Sequence, residues 1–410
     1  MTGLEIETPP EAVGMSSERL TRIDRHFQRY IDDGRLTGWQ VVVSRRGSIV
    51  HHSVAGLRDV ERGLPVEADT IWRIYSMTKP ITTVLALQLW EEGAFELNDP
   101  VHRFIPSFGE TRVWRSGSVN APITEPMTEP MTIWQLMSHT SGLTYGFMYA
   151  HPVDDLYRRA GFEWGLPKGR DLAGVCDVLA SLPLLFQPGR EWNYSMGLDV
   201  LGRVLEVVSG QPLDELLRER LLDPLGMHDT TWGVPPENHG RVAALYGAEP
   251  TTLTAVHLGS MGDAALQPPR ALLGGGGLQS TAADYHRFMH MLASGGALDG
   301  VRILSPRTVK LMASNHLPGN ADLTTFGRPL ASTSSVDGVG FGLGVSVTID
   351  PVATRGPGSV GDYSWGGAAS TTFWIDPVEE LTAAFYTQLL PSSTHPLHSQ
   401  LRQLVYQAIV

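Results

Sequence analysis

Residues 73–80 of the chain read RIYSMTKP and predict where a central helix begins. Proline is tolerated only in the first turn of a helix, where no intrahelical N–H bond is lost. Pro80 therefore predicts a helix that begins close to Ser76, runs from Met77 to Glu92 and ends before Gly93. A serine at such a start faces unpaired N–H groups and the positive end of the helix dipole. Both stabilise a developing oxyanion.

Lys79 follows Ser76 by three residues, so its amine and the serine hydroxyl share one face of the helix. The segment Ile81–Trp90 carries no charged side chain, which predicts a buried helix. Burial favours the uncharged form of a lysine, and an uncharged lysine beside a serine can activate the hydroxyl. The Ser-x-x-Lys spacing also occurs by chance. The alternative is an ordinary helix start whose lysine extends to solvent.

The composition excludes several classes of protein. The chain has 410 residues, of which 42% are hydrophobic, and this length predicts about two domains. Lys and Arg total 31 against 43 Asp and Glu, so the formal net charge is −12. No basic run stands out, and we therefore expect no nucleic-acid partner. The single cysteine, Cys176, excludes an internal disulfide and lies in an apolar stretch typical of a buried thiol.

No segment suggests a membrane or a cofactor. The first thirty residues lack the apolar core of a signal peptide, and no run of about eighteen apolar residues occurs, so we expect a cytoplasmic protein with no membrane partner. His286 and His290 lie four residues apart without the glutamate of the zinc-protease pattern. Gly274–Gly277 lacks the lysine that follows a phosphate-binding loop. We therefore expect neither a metal nor a cofactor.

The two ends of the chain share one pattern, a terminal helix next to strands. Helices are predicted at Ser16–Asp33 and Pro396–Ile409, and strands at Gln40–Ser44, Ile49–Val54, Phe341–Ile349, Tyr363–Ile375 and Thr382–Leu389. The simplest packing is an α+β fold. Residues 1–95 and 270–410 would form an antiparallel sheet flanked by the terminal helices, and residues 96–269 an inserted, mostly helical domain.

Two further segments complete a recognisable set of motifs. They are PGREWNYSMG, residues 188–197, and Trp365-Gly366-Gly367. With Ser76–Lys79 they resemble the serine β-lactamase and penicillin-binding-protein superfamily, whose elements are Ser-x-x-Lys, Tyr-x-Asn and Lys-Thr-Gly. The chain looks most like the family VIII carboxylesterases, relatives of class C β-lactamases in which the third element is typically Trp-Gly-Gly. Residues 138–143, 224–227 and 274–281 also match superfamily landmarks, so the resemblance covers about residues 16 to 410.

The resemblance implies a site in the cleft between the two domains. Ser76 would be the nucleophile, Lys79 the base that primes it, and Tyr194 the group that passes a proton to the leaving group and then activates water. The backbone N–H groups of Ser76 and Ala368 would form the oxyanion hole. Trp365, Gly366 and Gly367 would bind substrate. Tyr145 is a further candidate for substrate contact, with a structural role as the alternative.

Two departures from the family pattern bear on the substrate. Trp365 stands where β-lactam enzymes have a lysine, and Met196 stands where they have an asparagine. A tryptophan wall suits a neutral group better than an anion. The expected function is hydrolysis of small or short-chain carboxylic esters, the partner being the small-molecule ester itself.

Three alternatives stay open: acyl transfer on the same fold, weak β-lactam hydrolysis, and a ligand-binding sensor without turnover. The nucleophile elbow Gly-x-Ser-x-Gly of α/β-hydrolases does not occur. The oligomeric state is open, with a homo-oligomer as one option.

Overall fold

The computed structural model describes residues 4–328 and 336–410. Within them, the main sheet has eight strands, each antiparallel to its neighbours. In spatial order the strands are Val339–Phe341, Ser346–Thr348, Tyr363–Gly366, Thr372–Asp376, Leu381–Tyr386, Gly38–Arg45, Ser48–Asp59 and Leu64–Pro65. The sheet thus joins the two ends of the chain at the pair Gly38–Arg45 and Leu381–Tyr386. With the helices around it, it confirms the predicted α+β class.

The terminal helices cover one face of this sheet. They span Ser17–Asp32 and Leu397–Tyr406, close to the predicted bounds, and they contact each other. Successive side chains of a strand point to opposite faces. Val41 and Val43 accordingly pack with the terminal helices, whereas Val42 packs into the larger core on the other face.

The larger core contains the helix that carries Lys79. This helix spans Thr78–Glu91 and follows a 3-10 turn at Tyr75–Met77, as Pro80 predicted. Eleven of its fourteen residues are buried, so its burial extends around the whole circumference. The helix Ala282–Ala293 belongs to the same core and packs on the sheet, in contact with Leu381–Tyr386.

Two of the predicted strands are wrong, because each is divided into two strands by a turn. Phe341–Ile349 is not one strand, because Gly344 adopts a φ of 73° and reverses the chain between two short strands. Tyr363–Ile375 is likewise two strands, joined by a turn that begins after Gly366. Sequence alternation does not reveal such turns, because both flanking segments are apolar and buried.

Residues 96–269 hold most of the remaining helices. The α-helices are Ile133–Met137, Pro152–Arg159, Leu172–Ser181, Gly197–Ser209, Leu213–Leu217, Asp223–Leu225 and Ser260–Asp263, with a π-helical turn at Arg218–Leu222. The 3-10 turns are Val101–Arg103, Pro106–Glu110, Gly146–Met148, Pro236–Arg241 and Ala264–Leu266. A hairpin of Arg112–Ser118 and Ala121–Pro126 extends from this part, and Tyr246–Ala248 pairs with Ala255–His257 and Leu389–Leu390.

The other elements are short. They are the helices Pro306–Met312, Leu323–Phe326 and Pro351–Thr354, the 3-10 turns Pro10–Val13 and Pro318–Asn320, and the strand pairs Ile71–Arg73 with Gln279–Thr281 and Ala297–Leu298 with Val301–Arg302. Among residues 4–328 and 336–410, no helix combines the length and the apolar character that crossing a bilayer requires.

Candidate active site

The turn before the buried helix presents Ser76. Tyr75, the preceding residue, has a φ of 43°, a left-handed conformation that is strained for a residue with a side chain. Such strain persists only where the surroundings enforce it, and it concentrates at functional sites. Ser76 stays partly accessible, whereas Lys79 one turn later is fully buried.

The side chains of Ser76, Lys79 and Tyr194 meet at the serine oxygen. Lys79 Nζ lies 3.3 Å from Ser76 Oγ. The Tyr194 hydroxyl donates a hydrogen bond to the same oxygen at 2.6 Å. Tyr194 comes from the loop before the helix Gly197–Ser209, 118 residues away in sequence from Ser76. The oxygen of Ser76 therefore has a nitrogen partner on one side and a phenol on the other.

Lys79 has two more hydrogen-bond partners. Its amine donates to the carbonyl of Gly275 at 2.6 Å and to the hydroxyl of Tyr145 at 3.0 Å. An ammonium would donate to all three neighbours, whereas a neutral amine would donate to two and accept a proton from Ser76. The same geometry therefore suits both protonation states of Lys79 without rearrangement.

Asp199 is a charged member of the site that the sequence analysis missed. Its buried carboxylate accepts a hydrogen bond from the Gly275 N–H at 2.8 Å and interacts with the Tyr145 hydroxyl. Burial raises the pKa of the Asp199 carboxyl, while the charge of Lys79 and the bond from Gly275 oppose that shift. An acidic residue in the first turn of a helix is common, so its sequence position carried no specific signal.

Tyr145 connects Asp199 to Lys79. Burial, followed by the neighbouring charge of Asp199 and the nearby Tyr194, raises the pKa of the Tyr145 hydroxyl well above its usual value. A phenol of this kind keeps its proton across the neutral range. Tyr145 therefore orients its neighbours as a neutral donor and acceptor.

His139 lies behind Tyr194 and not beside Ser76. Its ring makes an edge contact with the Tyr194 ring at 5.0 Å, and its Nδ1 shares a hydrogen bond of 3.0 Å with the Ser195 hydroxyl. Burial, together with the charge of Lys79, lowers the pKa of His139 well below its usual value. His139 is therefore a neutral residue that packs against the ring of Tyr194.

The Trp-Gly-Gly segment closes the site from the sheet. A Cβ on Gly367 would lie 2.2 Å from Thr371 Oγ1 and 2.5 Å from the carbonyl oxygen of Ile74, so only glycine lets this edge approach the turn that holds Ser76. The Trp365 ring packs on Tyr194 at 5.4 Å. Its indole N–H is buried and has no hydrogen-bond partner in the described part of the chain.

The model of the β-lactamase family matches residues 23–407 of this chain. The protein Rv1367c of Mycobacterium tuberculosis is 36% identical over 364 residues, which cover 88% of each chain. Esterase EstB of Burkholderia gladioli is 30% identical over 414 residues, covering 97% of this chain and 98% of its own. The solved structure of EstCE1, a hydrolase with promiscuous acyltransferase activity, superposes with a TM-score of 0.79 at 27% identity, covering 95% of this chain and 99% of its own.

The fold and the site define a serine hydrolase with a β-lactamase-like architecture. The chain belongs to the β-lactamase family. The full-length similarity to EstB and to EstCE1 confirms the resemblance to the family VIII carboxylesterases.

Proposed function

We propose that the protein is a carboxylesterase that hydrolyses small or short-chain esters through an acyl-enzyme on Ser76. The observation that carries the proposal is the position of Ser76 Oγ, 3.3 Å from Lys79 Nζ and 2.6 Å from the Tyr194 hydroxyl. An activated serine needs a base within hydrogen-bond reach and a second group for the leaving oxygen. The names of EstB and EstCE1 as an esterase and a hydrolase support ester chemistry.

In the first half-reaction, Ser76 Oγ attacks the ester carbonyl while its proton moves to Lys79. The backbone N–H groups of Ser76 and Ala368 stabilise the resulting oxyanion. As the carbon–oxygen bond breaks, Tyr194 gives its phenolic proton to the departing alkoxide. The products are an alcohol, an acyl group on Ser76, a protonated Lys79 and a phenolate at Tyr194.

In the second half-reaction, the phenolate of Tyr194 takes a proton from water, and the hydroxide attacks the acyl group. The carboxylic acid departs from Ser76 Oγ, which recovers its proton from Lys79. Every group then returns to its starting state. Asp199 and Tyr145 act as positioning residues for Lys79, since they contact it directly or through Gly275.

Trp365 and Met196 support neutral substrates over β-lactams. Trp365 presents a ring beside Tyr194 and one N–H donor that has no partner among the described residues, and Met196 is a buried apolar side chain. Neither offers the cation that a substrate carboxylate requires. We therefore rank β-lactam hydrolysis below ester hydrolysis.

Acyl transfer is the second candidate, because EstCE1 is described as a hydrolase with acyltransferase activity. It uses the same acyl-enzyme, with an alcohol in place of water in the second half-reaction. Turnover of a p-nitrophenyl ester with and without a competing alcohol separates the two. A new ester among the products indicates transfer, and free acid alone indicates hydrolysis.

The test of the proposed function is turnover of p-nitrophenyl acetate and butyrate. Wild type is compared with Ser76→Ala and with Ser116→Ala, a serine change on the exposed hairpin. We expect activity in wild type and Ser116→Ala, and none above background in Ser76→Ala. Equal activity of all three proteins would remove Ser76 from the mechanism. Inactivity of folded wild type toward every ester, with no labelling of Ser76 by a fluorophosphonate, would favour a sensor.

A further inference from the structure

Three aromatic rings form a continuous stack that begins at the active site. The rings belong to Tyr145, Phe147 and Trp164, which we call the aromatic ladder. The Tyr145 and Phe147 rings are 4.6 Å apart at an interplanar angle of 19°, and the Phe147 and Trp164 rings are 5.0 Å apart at 14°. All three keep part of their surface exposed, so the ladder offers an apolar flank to a ligand.

The inner end of the ladder contacts the groups that carry protons. The hydroxyl of Tyr145 is 3.0 Å from Lys79 Nζ, and its ring lies 5.1 Å from the ring of Tyr194. The outer end is the indole of Trp164, which is 57% exposed. Within the described residues, Trp164 and Tyr149 are the only exposed aromatics, and both lie at this end. Exposed aromatics gathered at one point of a surface indicate contact with a ligand.

The outer rings are held in place although they are exposed. A Cβ on Gly146 would lie 2.3 Å from the carbonyl oxygen of Phe162, so the segment of Phe147 and the loop of Trp164 make direct backbone contact. The Tyr149 hydroxyl donates a hydrogen bond to Glu163, next to Trp164. Arg158 bonds the Gly146 carbonyl at 2.7 Å and lies 4.3 Å from the Tyr149 ring centre. These contacts fix the stack before any substrate arrives, which limits the entropy lost on binding.

We propose that the aromatic ladder binds the alcohol part of the substrate and favours esters of flat, apolar alcohols such as aryl alcohols. This inference rests on the proposed function, in which Tyr194 protonates the leaving alkoxide. The ladder begins at Tyr145, whose ring packs on Tyr194. A group attached to the leaving oxygen therefore extends along the ladder, whereas the acyl group lies on the other side of the carbonyl. Aromatic surfaces bind flat apolar groups through edge and face contacts.

The test varies the alcohol while the acyl group stays constant. Values of kcat/KM are measured for 2-naphthyl acetate and ethyl acetate with wild type, Trp164→Ala and Trp164→Phe. Because each variant is compared with wild type on the same ester, the intrinsic reactivity of the leaving group cancels. For 2-naphthyl acetate we expect kcat/KM to fall about five- to tenfold in Trp164→Ala, mostly because KM rises. Trp164→Phe should keep most of the wild-type kcat/KM. For ethyl acetate we expect no change.

Two controls test whether the effect is specific to the ladder and to the alcohol part of the ester. Ile123→Ala removes an apolar side chain of similar exposure, 55%, that is not part of the ladder, and it should leave the turnover of both esters unaffected. Ethyl 2-naphthoate places the flat group on the acyl side, and Trp164→Ala should not change its turnover. Equal effects of Trp164→Ala on 2-naphthyl and ethyl acetate, or a loss confined to ethyl 2-naphthoate, would overturn the proposal while the proposed function stands. Full activity of Ser76→Ala would instead overturn the proposed function.

Discussion

Asp199 and Lys79 both bind the backbone of one residue, Gly275. The carboxylate of Asp199 accepts from the Gly275 N–H at 2.8 Å, and the amine of Lys79 donates to the Gly275 carbonyl at 2.6 Å. A Cβ on Gly275 would lie 2.6 Å from Asp199 Oδ2, so the contact also requires glycine at that position. The buried acid thereby fixes the position of the amine beside Ser76.

Asp199→Asn tests this arrangement, because the amide keeps the size of the side chain and removes its charge. We expect kcat to fall about tenfold or more with little change in KM, since Lys79 is less well oriented. Asp214→Asn, at an exposed carboxylate, is the control. A kcat equal to that of wild type would contradict a positioning role for Asp199.

Tyr194→Phe removes the hydroxyl that contacts Ser76 and keeps the ring that packs on Trp365. We expect kcat to fall by about 10²- to 10⁴-fold, with the circular dichroism spectrum and the unfolding midpoint almost unchanged. The double variant Tyr194→Phe with Lys79→Met should have a kcat only slightly below that of the less active single variant. We expect this because Ser76, Lys79 and Tyr194 are proposed to act as a unit. Tyr30→Phe, which loses a hydrogen bond to Gln400 far from the site, should retain full activity. Multiplicative losses in the double variant would show that Lys79 and Tyr194 act independently.

Gly367→Ala introduces a Cβ against Thr371 and Ile74, 2.2 and 2.5 Å from their oxygens. The end of the strand Tyr363–Gly366 must then move away from the turn of Ser76, which displaces the Ala368 N–H. We expect a loss of about 1–3 kcal/mol in the free energy of unfolding and a large drop in kcat. Gly356→Ala is the control, because the nearest atom to its added Cβ, Thr354 Oγ1, is 3.9 Å away. A kcat as high in Gly367→Ala as in Gly356→Ala would contradict the proposed oxyanion hole.

His286 predicts a pH dependence of stability that is separate from catalysis. Burial lowers the pKa of His286 to about 4, and its Nε2 shares a hydrogen bond of 2.7 Å with the Ser44 hydroxyl. Because the folded pKa lies below the unfolded value of about 6.5, the unfolded chain binds the extra proton between these values. The stabilisation is complete above pH 6.5 and is lost as the pH falls toward 4. Between pH 7 and pH 5, urea unfolding of wild type should show an extra loss of about 2 kcal/mol relative to His286→Gln. Identical losses in the two proteins would contradict the neutral state of buried His286.

The sequence alone predicted those features of the fold and the site that follow from a local rule. Pro80 located the helix start, the three-residue spacing placed Lys79 on the face of Ser76, and the full set of motifs identified the family. Alternating apolar residues predicted the strands that pair the chain ends, because one face of each packs on the terminal helices.

The sequence did not predict contacts between segments that are distant along the chain. Asp199 reads as an ordinary acidic residue of a helix start, and only the fold brings it to Gly275, 76 residues later. Trp164 lies in a proline- and glycine-rich loop whose path over Phe147 is fixed by the contact of Gly146 with Phe162. No periodic pattern predicts such a contact, because loop conformation follows from its neighbours in space.

The acyl-enzyme on Ser76 is tested by detecting the covalent acyl group itself. Wild type is mixed with p-nitrophenyl butyrate, quenched with acid within the first turnovers and digested, and the peptides are analysed by mass spectrometry. The proposed mechanism predicts a butyryl ester on Ser76, which accumulates further in Tyr194→Phe if deacylation is slowed more than acylation. Turnover by wild type with the butyryl group on a different side chain, or with no covalent adduct at any quench time while Ser76→Ala remains active, would contradict it.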